Sequence, residues 1–148
     1  MTDGALMPTA QEERVREVFA RIHREQMDGL PLLNKALSVQ TLGFQAFRGR
    51  TLGMLVTPWM MGLMLLPSAE DGWEGLPPGH KATHAFPGGA LRFMVNAIDG
   101  LGPYQMHSVQ SPVHVFPDQA AAVAAAAAFL GRILADRDPN AVPEDPVD

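Results

Sequence analysis

Cysteine is absent from the 148-residue chain. That removes disulfides, thiolate zinc sites, Cys-ligated iron–sulfur clusters and a Cys nucleophile from consideration. Positive charge is scarce as well. The chain carries 11 Lys and Arg against 16 Asp and Glu, a formal net charge of −5, and its bases form no run. A phosphate backbone is gripped by clustered cations, so no nucleic-acid partner is expected. Nor is there a long apolar run. The most hydrophobic stretch, residues 52–66, is broken by Pro58 and two Gly. As a helix it would reach roughly 22 Å, short of the ~30 Å core of a bilayer. Met1-Thr2-Asp3-Gly4 shows neither the basic nor the apolar region of a secretory signal. These absences predict a cytoplasmic location without membrane insertion.

What the chain does have is core material. Hydrophobic residues make up 47% and charged residues 18%. A chain of this length can bury about 68% of the surface its unfolded form exposes, enough for one domain without staples. Acidity is uneven: residues 118–148 hold six acids and two bases, and the end of that stretch is Pro-rich. The expected organisation is a mobile arm over 1–8, one domain over 9–135, and an acidic, Pro-rich disordered tail over 136–148.

Thr9-Ala10-Gln11-Glu12 matches a capping box, in which the Thr oxygen accepts a first-turn amide and the Glu reaches back. Val15, Val18, Phe19 and Ile22 follow at helical spacing, with Glu17 and Arg21 as an i,i+4 pair. Gly29 and Pro31 end the helix. The period then changes to two. Residues 41–47 and 51–57 alternate around Arg48-Gly49-Arg50 as a hairpin. Residues 59–66 are apolar on both faces, as in a covered central strand, after a bend at Pro58. Residues 67–81 are Pro- and Gly-rich loop, 82–86 an edge strand, and 90–98 and 104–110 two further strands. Asp118 caps a final helix whose buried stripe is Val123, Ala127, Leu130 and Ile133. Short connections favour antiparallel pairing. The predicted fold is therefore α+β: a single domain with a mainly antiparallel five- to six-stranded sheet, and an N-terminal and a C-terminal helix packed on it.

Residues that could carry chemistry are sparse. His80 and His84 form H-x3-H, which suits zinc when a helix aligns both rings. Pro77, Pro78 and Gly79 argue for a loop instead. A third ligand would come from His107, His114 or Asp71. A Ser–His–Asp set could be drawn from Ser108 or Ser111, His107 or His114, and Asp99, but no nucleophile elbow surrounds either serine. No catalytic residue, metal site or cofactor is predicted. A small His-based metal-binding protein or enzyme using His80, His84, His107 and Asp99 is the rival reading, and an apolar small-ligand binder a third.

The distinctive segment is Thr57-Pro58-Trp59-Met60-Met61. Nine Met are many for this length, and Met54, Met60, Met61, Met64 and Met94 fall in the sheet region. Met is flexible and polarizable, so it serves either as core filler or as an adaptable binding face. Trp59, following a strand-breaking Pro, points to an interface anchor. Trp73, in the loop beyond, is expected on the same surface.

The blocks Leu55-Val56-Thr57-Pro58-Trp59-Met60, Leu65-Leu66-Pro67 and Trp73 occur in a fixed order. They are followed by Pro87-Gly88-Gly89, Phe93-Met94-Val95, Asp99-Gly100, Tyr104, Ser108 and Ser111-Pro112. Upstream stand Asn34-Lys35-Ala36-Leu37-Ser38-Val39 and Gly43-Phe44. Over residues 12–135 this series resembles the [NiFe]-hydrogenase assembly chaperones called HybE or HupJ. The resemblance implies a non-enzymatic, cytoplasmic chaperone that holds precursor subunits and delays export until assembly is complete. The implied partners are the large-subunit precursor, awaiting its nickel–iron centre, and the small-subunit precursor with its twin-arginine signal. One position departs: where the family often has Cys in a Y-x-x-C-S stretch, this chain has His107. A fused rubredoxin-like module, present in some relatives, is not expected without Cys. Residue chemistry and resemblance together predict a protein-binding surface lined by Thr57, Pro58, Trp59, Met60, Trp73 and Tyr104.

Overall fold

The computed structural model describes residues 8–31, 33–110 and 113–135. The expected acidic tail, 136–148, lies outside them. So does the expected arm, except for Pro8, which already belongs to the first helix.

That helix, α1, spans Pro8–Ile22 and continues as a wider π-type turn over His23–Met27. It ends as expected at Gly29, whose φ of 84° suits glycine. Of the two side chains that make the expected capping box, only that of Glu12 is among the described residues. The side chain of Thr9 lies outside the described residues, and Glu12 is instead engaged by the sheet, its Oε2 accepting from Thr41 Oγ1 at 2.8 Å. Arg21 likewise leaves Glu17 and donates to the Asp99 carbonyl at 2.8 Å. In both cases a tertiary partner displaces the local one.

Six strands follow: β1 (Gln40–Phe47), β2 (Arg50–Val56), β3 (Met61–Leu66), β4 (Lys81–Phe86), β5 (Gly89–Ile98) and β6 (Gly102–Gln110). The closing helix, α2, spans Gln119–Leu134. The strands form one antiparallel sheet in the order β1-β2-β3-β6-β5-β4. Two three-stranded meanders are thus joined by the β3–β6 pairing. This is the α+β architecture that the alternating periods call for.

Local chemistry accounts for the turns. Phe47 pairs directly with Arg50, leaving Arg48 and Gly49 as a two-residue loop, and both take positive φ, 51° and 83°. That is the left-handed pair a type I′ hairpin needs. At α2, the side chain of Asp118 accepts from Ala121 N at 2.8 Å, the N-cap expected of it.

The core has two layers. On one face of the sheet, Leu52, Met54, Val56, Met61, Leu63, Leu65, Leu91 and Phe93 pack with Ala122, Ala126, Leu130 and Ile133 of α2. On the other, Val15, Val18 and Phe19 of α1 meet Leu55, Met64, Leu66 and Tyr104. β2 and β3 are buried on both faces, which is why residues 52–66 read as nearly unbroken apolar sequence. The α2 stripe meets the expectation at Leu130 and Ile133 but is shifted one residue in its first half: Ala122 and Ala126 are buried, Val123 only half so, and Ala127 exposed. Within a run of alanines nothing marks the phase. Leu130 and Ile133 fix it, and small side chains bring the helix close to the sheet.

A candidate protein-binding face

The segment Thr57-Pro58-Trp59-Met60 is a closed turn, tighter than the bend expected at Pro58. It reverses the chain between β2 and β3, where Val56 pairs with Met61. Thr57 organises it. Its buried hydroxyl accepts from Trp59 N at 3.1 Å and Met60 N at 2.9 Å, and donates to the Met60 carbonyl at 3.0 Å. The Pro58 carbonyl accepts from Asn34 N at 2.8 Å. Asn34 in turn uses its side-chain amide to donate to the Val113 and Phe116 carbonyls, both at 2.9 Å. Thr57 and Pro58 are sealed, whereas Trp59 and Met60 stay half-buried at the edge of the α1-side layer. The Trp59 ring lies 5.8 Å from that of His23.

On the α1 side the sheet is covered unevenly. α1 packs on β1 and β2, and Phe19 reaches as far as Tyr104 of β6, the rings meeting edge-on at 6.3 Å. Beyond that contact, Arg92, Met94 and Asn96 of β5 and Lys81 and Thr83 of β4 are exposed. Burial there pushes the Tyr104 hydroxyl up to about 12, so it stays a neutral wall. The register draws a row across four strands: Met64 opposite Met106, Met106 opposite Met94, Met94 opposite Lys81. Exposure rises along it, from none at Met64 through a half-buried Met106 to 46% at Met94. Met106 lies over Gly62, where a Cβ would collide with its sulfur. The outer members of the row, Met106, Met94 and Lys81, line a groove of about 470 Å³ together with Arg92, Asn96 and Ser108.

Trp59, Met60 and Tyr104 border one layer. Trp73 does not join them. It is 6% exposed, belongs to the α2-side layer, and lies under the Arg50 guanidinium, 5.1 Å away. Arg50 grips Asp71 with two hydrogen bonds of 2.9 Å. That bond, with help from Ser68, lowers the Asp71 carboxyl to about 2. The expectation of one surface shared by both tryptophans is therefore corrected, because this ion pair folds the loop back and buries the second indole. Of the sheet methionines, Met54, Met61 and Met64 are core. Met94 and Met106 supply the accessible apolar surface. Sequence reasoning left both out of the site; the only available signal was the alternation of Arg92, Met94 and Asn96 with the buried Leu91, Phe93 and Val95.

The histidines do not converge. His84 Nε2 lies 2.7 Å from Gln105 Oε1. His107 Nδ1 lies 2.8 Å from the Arg92 carbonyl, with its ring stacked on Phe129. Asp99 sits at the far end of β5, and Ser111 lies outside the described residues. Among the described residues, no three His or carboxylate side chains are placed to share a metal ion, and no helix is long and apolar enough to cross a membrane.

The family model described as "[NiFe]-hydrogenase assembly, chaperone, HybE" matches residues 10–147. The hydrogenase expression/formation protein HupT of Azotobacter chroococcum is 38% identical over 124 residues, 83% of this chain and 82% of that protein. The probable rubredoxin HupJ of Rhodobacter capsulatus is 40% identical over 112 residues, 76% of this chain. The chain spans only 40% of that relative's length. The solution structure of HybE from Escherichia coli matches with a TM-score of 0.68 at 25% identity, covering 97% of this chain and 90% of that one.

Proposed function

Because the chain belongs to the HybE family of [NiFe]-hydrogenase assembly chaperones, we propose that it holds precursor hydrogenase subunits on the open half of its sheet and releases them after assembly. The clients are the large-subunit precursor before its metal centre is complete and the small-subunit precursor before export from the cytoplasm. No bond is made or broken in this task. What is needed is an apolar surface that yields to its client, and methionine supplies that. The observation that carries the reading is the rise in exposure along the methionine row, from a sealed Met64 through a half-buried Met106 to Met94 at 46%. The half-buried Trp59 and Met60, held in place by Thr57 and Pro58, extend the same side of the sheet. Tyr104 walls the groove off from α1, while Trp73 supports it from the opposite layer.

No observation favours the histidine-based alternative, since His84 and His107 each serve a separate hydrogen bond. The test is co-purification of the tagged chain with each subunit precursor, expressed one at a time. At least one precursor is expected to co-purify. A Met94→Ser variant with an unchanged melting temperature is expected to hold about tenfold less, the range of an interface hot spot. Absence of both precursors from the wild-type eluate, or equal capture by Met94→Ser, defeats this reading.

A further inference from the structure

In a chain with no cysteine, the sulfur that a dissolved oxidant meets is thioether. Among the described methionines, Met54, Met61 and Met64 are sealed, Met27, Met60 and Met106 are half-buried, and Met94 is 46% exposed. Met94 lies in the middle of β5, on the face opposite to the buried Leu91, Phe93 and Val95. Its sulfur can therefore change chemically without disturbing the core beneath. Lys81 of β4 stands directly across from it on one side and Met106 of β6 on the other. Residues opposed in this way hold their Cβ atoms about 4.5–5.5 Å apart. Asn96 is the next residue of β5 on the same face, and it lines the same groove as Lys81. An oxygen placed on the Met94 sulfur would thus have an ammonium and an amide N–H within reach. The thioether itself is a weak acceptor and gains little from either.

We infer that Met94 is a sulfoxidation site, and that a hydroperoxide acting there shuts the groove to apolar occupants. The sulfur lone pair attacks one oxygen of the peroxide, and the S–O bond forms as the O–O bond breaks. With hydrogen peroxide the attacked oxygen gives up its proton through solvent, and the departing hydroxide takes one and leaves as water. Sulfur loses two electrons and the peroxide gains them. A flexible apolar side chain becomes a polar one. Its oxygen, bonded to Lys81 and Asn96, would have to lose those partners or be buried beside apolar surface for a client to lie on it, and either is costly. Methionine sulfoxide reductases undo the step, a dithiol supplying the two electrons and the oxygen leaving as water. The consequence for clients rests on the chaperone reading: a precursor is refused while hydroperoxide is present and accepted again once the thioether is restored.

The test treats the full chain with hydrogen peroxide and follows it by peptide mass mapping and by the fluorescence of Nile red, a neutral dye that brightens on apolar surface. Met94 is expected to gain one oxygen before Met27, Met60 and Met106, with Met54, Met61 and Met64 unreacted while the chain stays folded. At that single-oxygen stage the melting temperature should be unchanged, and Nile red should bind about tenfold more weakly. Met94→Leu should bind the dye and keep it through the same treatment. Met94→Gln, polar from the start, should bind it as weakly as the oxidised wild type. The two methionine sulfoxide reductases, one for each epimer, should restore the wild type. First oxidation at another of these methionines overturns the inference, and so does equal loss of dye from wild type and Met94→Leu. Capture of whole precursors is read separately on the same samples. Loss of dye with capture unchanged upholds the oxidation site and refutes the groove as the client's seat. Failure of the untreated wild type to capture either precursor refutes the chaperone reading, and the mapping and dye results still decide this inference.

Discussion

A hydroxyl that serves three backbone groups at once leaves little room for substitution. Thr57, itself fully buried, bonds two amides and a carbonyl of its own turn. Thr57→Val keeps the shape and takes the partner from the two amides, while the Met60 carbonyl keeps the Thr57 N–H at 2.9 Å; the loss should cost about 1–3 kcal/mol. Thr57→Ser keeps the oxygen and should recover most of it. Urea titrations of the three proteins, followed by tryptophan emission, measure the difference. Asp71 makes a second residue-scale prediction. Its carboxyl is held near 2 against an ordinary 3.8, chiefly by its hydrogen bond to Arg50. A depressed carboxyl contributes its full stability above the unfolded value and loses it as pH falls through the folded one. The stability gap between wild type and Asp71→Asn should therefore be largest above about pH 5 and close progressively toward pH 2. Equal gaps at pH 7 and pH 3 would remove Arg50–Asp71 from the account of why Trp73 is buried. Little of this was legible beforehand. Trp59 and Trp73 both follow Pro- or Gly-marked breaks and look alike in sequence. Only the partner of Arg50, twenty-one residues away, tells them apart.

At the scale of elements, the alternation of β5 and the doubly apolar β2 and β3 were readable, as were the Arg48-Gly49 hairpin and the Asp118 cap. Those signals are local, set by strand pleat, turn conformation and the first amides of a helix. The phase of α2 and the uncovered half of the α1-side face were not, because both depend on what packs against them. Gly88 shows how one element locks to another. Its amide donates to the Ile133 carbonyl at 2.8 Å, and a Cβ there would run into the Arg132 carbonyl and the Ile133 Cα. The last turn of α2 is thereby pinned to the β4–β5 hairpin. Gly88→Ala should cost about 1–3 kcal/mol through this overlap. It should also raise amide exchange in the final turn of α2. Gly75, with open space around it, is the control: Gly75→Ala should change neither. If the two variants melt alike, the close approach at Gly88 is not what seats the helix.

For the whole molecule, the residues that carry the family resemblance mostly hold the fold together. Asn34 bridges three segments, Thr57 closes a turn, Gly88 seats a helix, and the Asp99 carbonyl receives Arg21. That is why the fold and the family were visible in one sequence. The face proposed to meet the client lies elsewhere, at Lys81, Arg92, Met94 and Met106, on strand positions that no motif marks. An exposed Met between polar neighbours looks like any solvent-facing residue until the neighbouring helix is known to stop short of it.

The joining of the two meanders has a consequence for synthesis. β3 lies between β2 and a strand about forty residues downstream. A nascent chain on the ribosome can complete the first meander and dock α1 on it, yet the central seam stays unzipped until β6 has left the exit tunnel. The helix α1 that covers one half of the sheet is thus made well before the client-facing wall. A prematurely terminated chain would display an apolar strand edge with nothing to hold.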